Sequence, residues 1–179
     1  MNLFLWGALP YIAFTFLIVG TLVRFFYFER NWTTKSSEFL EKKQLRIANP
    51  LFHFGLLCVI GGHVVGVLVP KTWTAAMGIN DHMYHEGALY MGAVAGIIFI
   101  VGFLLLMKRR FTVPAMKVNT SGLDKWLYLF LTLAIFSGMA GTLLNASGFF
   151  DYRVSIGPWF RSLLSFMPDP SLMEGVPFM

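Results

Sequence analysis

Two histidines, His53 and His63, are the side chains of this sequence that point most clearly to chemistry, because both lie within an apolar stretch from Pro50 to Val69. A polar side chain in such a stretch is costly inside a bilayer and is by default a functional candidate. If the stretch is helical, ten residues separate the two imidazoles by about 15 Å along the axis and by about 80° around it. This spacing excludes one shared metal ion and predicts two separate sites, one nearer each membrane surface.

Imidazole is an established axial ligand of haem iron. Two histidines at different depths therefore favour one haem each, which would give electrons a path across the bilayer. The single cysteine of the sequence, Cys58, excludes a disulfide framework and any cysteine-ligated zinc or iron–sulfur site within these residues. A second interpretation stays open at this point, in which each histidine only forms a hydrogen bond to a neighbouring helix.

The composition predicts which elements position these histidines. Of the 179 residues, 56% are hydrophobic and 13% are charged, whereas soluble domains carry about 25% charged residues. The 19 Phe, 6 Tyr and 5 Trp exclude a disordered chain. We therefore predict an all-α fold, a transmembrane helical bundle in a single membrane-embedded domain over residues 1–179. Its four apolar segments approach bilayer-spanning length and cover about residues 3–28, 50–69, 87–107 and 126–144, followed by an outer-side tail at 148–179.

Basic residues are concentrated in two connections between these segments, from Glu29 to Ala48 and from Lys108 to Lys125. The connection from Pro70 to Glu86 holds one basic residue, Lys71. This bias predicts a multi-pass protein of a cytoplasmic or equivalent energised membrane, with the basic loops in the cytoplasm and the N-terminus outside. The net charge of +5 is thus a topology signal, and no nucleic-acid partner is expected. Three arginines at helix ends either extend to the headgroups or pair with haem propionates: Arg24, Arg109 and Arg110.

The outward connection ends in a polar cluster formed by His82, His85 and Glu86. A histidine on the outer face is suited to accept protons from a hydrophobic substrate that enters from the lipid, because imidazole changes charge near neutral pH. The other interpretation is a solvated loop with a helix cap. In the tail, Trp159 to Phe166 predicts a short interfacial helix.

Small residues on the second and third segments predict close helix packing. Gly55, Gly62 and Gly66 lie about 180–220° around the second helix from His53. Gly92 and Gly96 form a similar pair on the third segment. The stripe beside His63 also leaves room for a cofactor.

Several blocks of the sequence carry a family resemblance that extends over the whole chain. They are Lys35 to Leu45 (KSSEFLEKKQL), Leu51 to Gly55 (LFHFG), Gly62 to Gly66 (GHVVG), His82 to His85 (HMYH), Asp151 to Arg153 (DYR), Trp159 to Arg161 (WFR) and Pro168 to Met173 (PDPSLM). The chain resembles the gamma subunit, or cytochrome b membrane subunit, of respiratory nitrate reductase, particularly the Gram-positive type.

The resemblance implies five helices and two b-type haems, with His53 as an axial ligand of the inner haem and His63 as an axial ligand of the outer haem. It also implies oxidation of menaquinol or another quinol near the outer face, in the region of His82, His85 and Glu86. Electrons would then pass to an iron–sulfur beta subunit and on to a molybdenum-containing alpha subunit. Nitrate itself would be reduced outside this chain.

The sequence departs from the family where the second axial ligands are expected. In the family these are histidines on the fifth helix, whereas here no histidine follows His85 and the sequence stops at Met179. We expect a fragment of a five-helix subunit rather than a product truncated before the last helix. Two rival functions stay open: the haem b anchor of another respiratory complex, of the hydrogenase or formate dehydrogenase type, and a haem-free membrane anchor or transporter.

Overall fold

The computed structural model describes residues 2–28, 40–149 and 151–176, and all regular structure within these ranges is helical. Within these ranges, four helices are long and apolar enough to cross a membrane: Phe4–Tyr27, Leu45–Leu68, Asp81–Thr112 and Gly122–Ala146. This confirms the all-α fold with four membrane-spanning helices. Arg30 and Lys35 of the predicted basic loop lie outside the described residues.

The chain divides into two compact units, and the first combines Met1–Lys35 with Tyr152–Met179. Its long helix, α1 (Leu9–Tyr27), continues from a π-helical turn at Phe4–Ala8. A short helix later in the chain (Ile156–Leu164) and a 3₁₀ turn (Pro170–Met173) complete the unit.

The described part of the second unit, Ser36–Asp151, holds five helices. These are α2 (Leu45–Leu68), α3 (Lys71–Ala76), α4 (Asp81–Thr112), α5 (Pro114–Val118) and α6 (Gly122–Ala146). The short helix Ile156–Leu164 of the first unit is therefore α7 in chain order.

Polar side chains fix the starts of the two later spanning helices. The Asn80 side chain accepts a hydrogen bond from the backbone N–H of Met83 at 2.8 Å, which starts α4 at Asp81. Ser121 and Asp124 form a reciprocal capping box at the start of α6. Because of the Asn80 cap, α4 begins six residues before the apolar segment at 87–107, so its first two turns are polar.

The closest helix contact joins α2 and α4. A Cβ on Gly55 would lie 2.6 Å from the Cα of Phe99, and a Cβ on Gly102 would lie 2.6 Å from the Cα of Phe52. Each glycine thus lets the backbone of the other helix approach, as small residues do in membrane helix pairs. The pairing is reciprocal because both helices carry the pattern Phe-x-x-Gly and run antiparallel.

The predicted glycine stripes are only partly correct. Gly55 and Gly66 are buried, whereas Gly62 is exposed, and no atom would lie within 4 Å of a Cβ added to it. On α4 the predicted pair is wrong, because Gly92 has open space beside it and a Cβ on Gly96 would meet only the Met139 sulfur at 3.8 Å. The contact lies instead at Gly102, two turns further along.

Candidate functional site

His53 and His63 lie on α2, eight and eighteen residues after its start at Leu45, and both are exposed within this chain. Helix α4 covers the face of α2 that carries Gly55, about 200° around the helix from His53. The His53 imidazole therefore projects from the surface of α2 opposite α4. This arrangement leaves space on that surface for a large group.

The two imidazoles make the same local hydrogen bond. Nδ1 of His53 lies 2.9 Å from the carbonyl oxygen of Asn49, and Nδ1 of His63 lies 2.8 Å from the carbonyl oxygen of Val59. A carbonyl oxygen only accepts, so in each ring Nδ1–H donates and Nε2 carries the lone pair. Metal-ligating histidines in proteins commonly show this arrangement, in which the second nitrogen is held by a carbonyl or carboxylate.

A series of aromatic rings holds the His53 end of α2 against the other helices. The Phe52 ring lies 5.2 Å from the His53 ring, nearly perpendicular at 84°, and also 5.2 Å from the Phe99 ring of α4. Phe103 of α4 lies 6.4 Å from Phe52 and 6.2 Å from Tyr128 of α6. The position of His53 is thus coupled by packing to α4 and α6.

The donor set is compatible with haem iron. Within the described residues, no group of three or more His, Cys, Asp or Glu side chains could hold a metal ion. A structural zinc site needs about four protein ligands, whereas haem iron takes most of its ligands from the porphyrin and needs only one or two from the protein. Next to His63, a Cβ on Gly61 or Gly62 would meet no atom within 4 Å, which leaves room for a flat macrocycle.

The predicted polar cluster lies in the first two turns of α4 rather than in the connection before it. His82 Nε2 and Glu86 Oε1 are 3.6 Å apart, on side chains that are both largely exposed. His85 is partly exposed on the same two turns. Since the cluster is helical, residues four apart share a face, which brings His82 beside Glu86.

A basic side chain outside the predicted site joins α3, α4 and Asp151 near this end of α4. Lys71 Nζ, on α3, lies 2.8 Å from Asp151 Oδ2 and 3.5 Å from Asp81 Oδ2. The hydrogen bond with Asp151, together with the charges of both carboxylates, raises the pKa of the Lys71 ammonium against the opposing effect of burial.

The two arginines near the end of α4 bind protein carboxylates. Arg109 is 4% exposed, and its Nε donates to Glu41 Oε2 at 2.7 Å while its guanidinium also donates to the Glu41 carbonyl at 2.6 Å. The Arg110 guanidinium lies 2.9 Å from Asp124 Oδ2 on α6. Through these contacts, the segment before α2 and the helix α6 are both attached to the end of α4. Arg24 lies in the last turn of α1.

The profile of the family described as "Nitrate reductase gamma subunit" matches residues 2–179. The chain belongs to that family. It is 47% identical over 174 residues to the nitrate reductase gamma chain of Bacillus subtilis (strain 168), an alignment that covers 97% of this chain and 78% of the relative. The resemblance drawn from the sequence blocks is thereby confirmed.

More distant relatives also align along almost the whole chain. The respiratory nitrate reductase 1 gamma chain of Escherichia coli (strain K12) is 27% identical over 180 residues, which cover 99% of this chain and 80% of that one. The nitrate reductase-like protein NarX of Mycobacterium tuberculosis (strain ATCC 25618 / H37Rv) is 39% identical over 175 residues, covering 96% of this chain and 27% of that longer protein. The family assignment therefore applies to both units.

Three features of this gamma-subunit chain escaped the sequence analysis, and one of them had a detectable signal. The Phe-x-x-Gly pattern on α2 and α4 predicts the reciprocal contact of Gly55 and Gly102 once the two helices are taken as antiparallel neighbours. The Glu41–Arg109 pair and the Lys71–Asp151 pair are separated by 68 and 80 residues. No local spacing in the sequence indicates such distant partners.

Proposed function

We propose that this chain is the dihaem cytochrome b membrane subunit of a respiratory nitrate reductase, one membrane-embedded domain that passes electrons from quinol to an iron–sulfur beta subunit and a molybdenum-containing alpha subunit. His53 supplies one axial ligand of the inner haem and His63 one axial ligand of the outer haem. The subunit lies in the bacterial cytoplasmic membrane, surrounded by lipid, with its N-terminus outside and its basic loops in the cytoplasm.

One observation carries this proposal: both intramembrane imidazoles use Nδ1 within their own helix and leave Nε2 as a donor to metal on an exposed surface. Haem supplies reversible one-electron chemistry when it is bound. The chain's own contribution is to hold each ring in one tautomer, and to separate the two ligand positions by about 15 Å along α2. That separation suits two electron carriers at different depths of one membrane.

The first two turns of α4 are the proposed quinol region. An exposed imidazole at His82, with the Glu86 carboxylate 3.6 Å away, can accept a proton from a quinol hydroxyl and retain it as part of an ion pair. His85 on the same turns is a second acceptor. Menaquinol and other quinols share this hydroxyl chemistry, so the proposal includes the class rather than one species.

Three arginines stay proposed contacts of haem propionates: Arg24, Arg109 and Arg110. Arg109 already binds Glu41, and Arg110 already binds Asp124. If either guanidinium donated to a propionate, it would have to give up part of its present ion pair. Arg24, in the last turn of α1, also has an interaction of its own, so it is not preferred over the other two.

The two rival functions are distinguished by different observations. A haem-free anchor whose histidines only bridge helices is not supported, because the described hydrogen bonds of both rings stay within α2. The haem b anchor of a hydrogenase or formate dehydrogenase would use the same histidine chemistry. The family match and the relatives favour the nitrate reductase over it.

Separate His53→Ala and His63→Ala variants, made in the assembled complex, test the proposal by redox difference spectroscopy. We expect each variant to lose one distinct b-type haem signal while the other remains. Cys58→Ala is the matched control, because Cys58 is exposed on the same helix between the two histidines. Unchanged haem content in both histidine variants would contradict the proposal.

A further inference from the structure

The segment after residue 152 packs on the first half of α1 within the first unit. The Trp159 indole N–H donates to the carbonyl oxygen of Trp6 at 2.8 Å, and their rings lie 5.7 Å apart. Further along α1, the Tyr11 hydroxyl donates to the Leu163 carbonyl at 2.8 Å. These contacts fix the level of α7 along α1.

Helical rise places that level from the hydrocarbon boundary, near Trp6, to several ångströms inside it, near Tyr11. The span Phe4–Tyr27 has 24 residues and is about 36 Å long, which exceeds a hydrocarbon core of about 30 Å by roughly 3 Å at each end. Tyr11 lies seven residues, or about 10 Å, after Phe4. The residues of α7 that contact Tyr11 are thus about 7 Å below the hydrocarbon boundary.

The end of α7 has most of the backbone hydrogen bonding that such a depth requires. Hydrocarbon offers no partner to the carbonyl groups at the end of a helix, so these groups must be satisfied within the protein. Three of the last four carbonyls of α7 accept hydrogen bonds: Arg161 from Ser165 N at 3.1 Å, Ser162 from Met167 N at 3.0 Å, and Leu163 from Phe166 N at 3.1 Å as well as from the Tyr11 hydroxyl.

The turn that makes these bonds presents apolar side chains outward. Phe166 has φ of 58°, the left-handed conformation that usually calls for glycine at this position after a helix. Its side chain is 82% exposed, and that of Met167 is 75% exposed. Leu164 is exposed beside them. Together the three form an apolar surface, the 164–167 tip, which is continuous with α1 through the stacked rings of Phe166 and Tyr11, 6.0 Å apart. Between them, the exposed Ser165 hydroxyl donates to the Ser162 carbonyl at 3.0 Å.

We infer that α7 and the 164–167 tip are inserted into the leaflet at the N-terminal end of α1, with Leu164, Phe166 and Met167 in contact with lipid acyl chains. The partner of this surface is the bilayer, because the surface is continuous with that of a membrane-spanning helix and its helix end is already hydrogen-bonded. The inference depends only on α1 as a spanning helix and is independent of the haem and quinol proposals.

Site-directed spin labelling of the full chain in phosphatidylcholine–phosphatidylglycerol vesicles tests this inference. Cys58 is first replaced by alanine, and Met167→Cys is labelled with a nitroxide. Phe16→Cys, on the exposed surface of α1, is the lipid control, and Val118→Cys, at the exposed end of α5, is the water control. We expect the label at position 167 to collide with oxygen as often as the label at position 16 does. Its collision rate with a water-soluble nickel complex should be at least several-fold below that of the label at position 118.

Two outcomes would overturn the inference. A label at position 167 that collides with the nickel complex as often as the label at position 118 would place the tip in water. A label that meets neither relaxant would show that protein, either a partner subunit or a second copy, covers the tip instead of lipid. Leu164→Cys is the second site, and its label must give the same result as position 167 for the inference to stand.

Discussion

Gly102 of α4 lies against the backbone of Phe52, the residue directly before His53 on α2. A small residue on one helix therefore sets the position of a proposed haem ligand on another. The same contact recurs in reverse one turn away, where Gly55 meets Phe99. The distance between α2 and α4 at this level therefore determines where the His53 imidazole lies.

Gly102→Val is expected to displace α2 from α4 at the level of His53. Overpacking of a close contact costs about 1–3 kcal/mol. The displacement acts on His53, the proposed inner ligand, more than on His63, three turns away. We expect a lower melting temperature and a broadened or shifted signal of the inner haem, with the outer signal retained. Gly92→Val is the matched control, because open space surrounds Gly92.

Equal melting temperatures and spectra of the two glycine variants would contradict this prediction. If Gly102→Val and Gly92→Val had the same melting temperature and the same spectrum in detergent solution, the contact with Phe52 would not position the ligand.

Arg109→Gln is expected to destabilise the protein, because it removes the buried guanidinium that binds both the side chain and the carbonyl of Glu41. The segment before α2 would lose its attachment to the end of α4. Thermal unfolding in detergent should show a fall of several degrees in the melting temperature. Lys108→Gln, an exposed neighbour on the same turn, should leave the melting temperature nearly unchanged.

The pKa of the Glu41 carboxyl also predicts how the stability of the protein depends on pH. The hydrogen bond from the Gln44 backbone N–H, and then the bond and charge of Arg109, hold the pKa of Glu41 below its usual value of 4.5. Because the folded pKa is the lower one, the stabilisation is present above the usual value and is lost as the pH falls through the folded pKa.

Melting temperatures measured from pH 6 down to the acid limit of the detergent solution check this expectation. Glu41→Gln should reduce the slope of melting temperature against pH at the acid end, with little change in that slope near neutrality. Asp169→Asn, which changes an exposed carboxyl in the other unit, is the control. A slope that Glu41→Gln leaves unaltered would show that Glu41 does not contribute.

Tyr11→Phe is expected to weaken the attachment of α7 to α1, because it removes the hydroxyl that donates to the Leu163 carbonyl at 2.8 Å. The loss of one hydrogen bond of this kind costs about 1 kcal/mol. Limited proteolysis should cut the 152–176 segment faster in this variant. Tyr27→Phe is the control, since Tyr27 is exposed at the other end of α1, and equal cleavage in the two variants would refute the prediction.

Much of the fold follows from the sequence because apolar length alone defines a spanning helix. The four segments were found in this way, and the polar turns of α4 were missed only because Asn80 caps the helix ahead of its apolar part. Packing was harder to predict. Gly62 and Gly55 look alike in the sequence, and only the position of α4 decides which of them is buried.

The candidate site also has one part that the sequence predicts and another that depends on how the helices pack. The depths of His53 and His63 follow from helical rise, whereas their tautomer depends on the i−4 carbonyl geometry that the structure supplies. The long-range pairs, such as Lys71 with Asp151, depend on how separate helices meet. Nothing in the local sequence encodes them.

The hydrogen bonds at Nδ1 of His53 and His63 have a consequence for how the site withstands mutation. Their acceptors are the backbone carbonyls of Asn49 and Val59, so the side chains at positions 49 and 59 contribute nothing to them. Substitutions there preserve the tautomer for as long as the helix persists. The tautomer of each ring is thereby set by the backbone of α2, whereas the packing against α4 sets where the His53 ring lies.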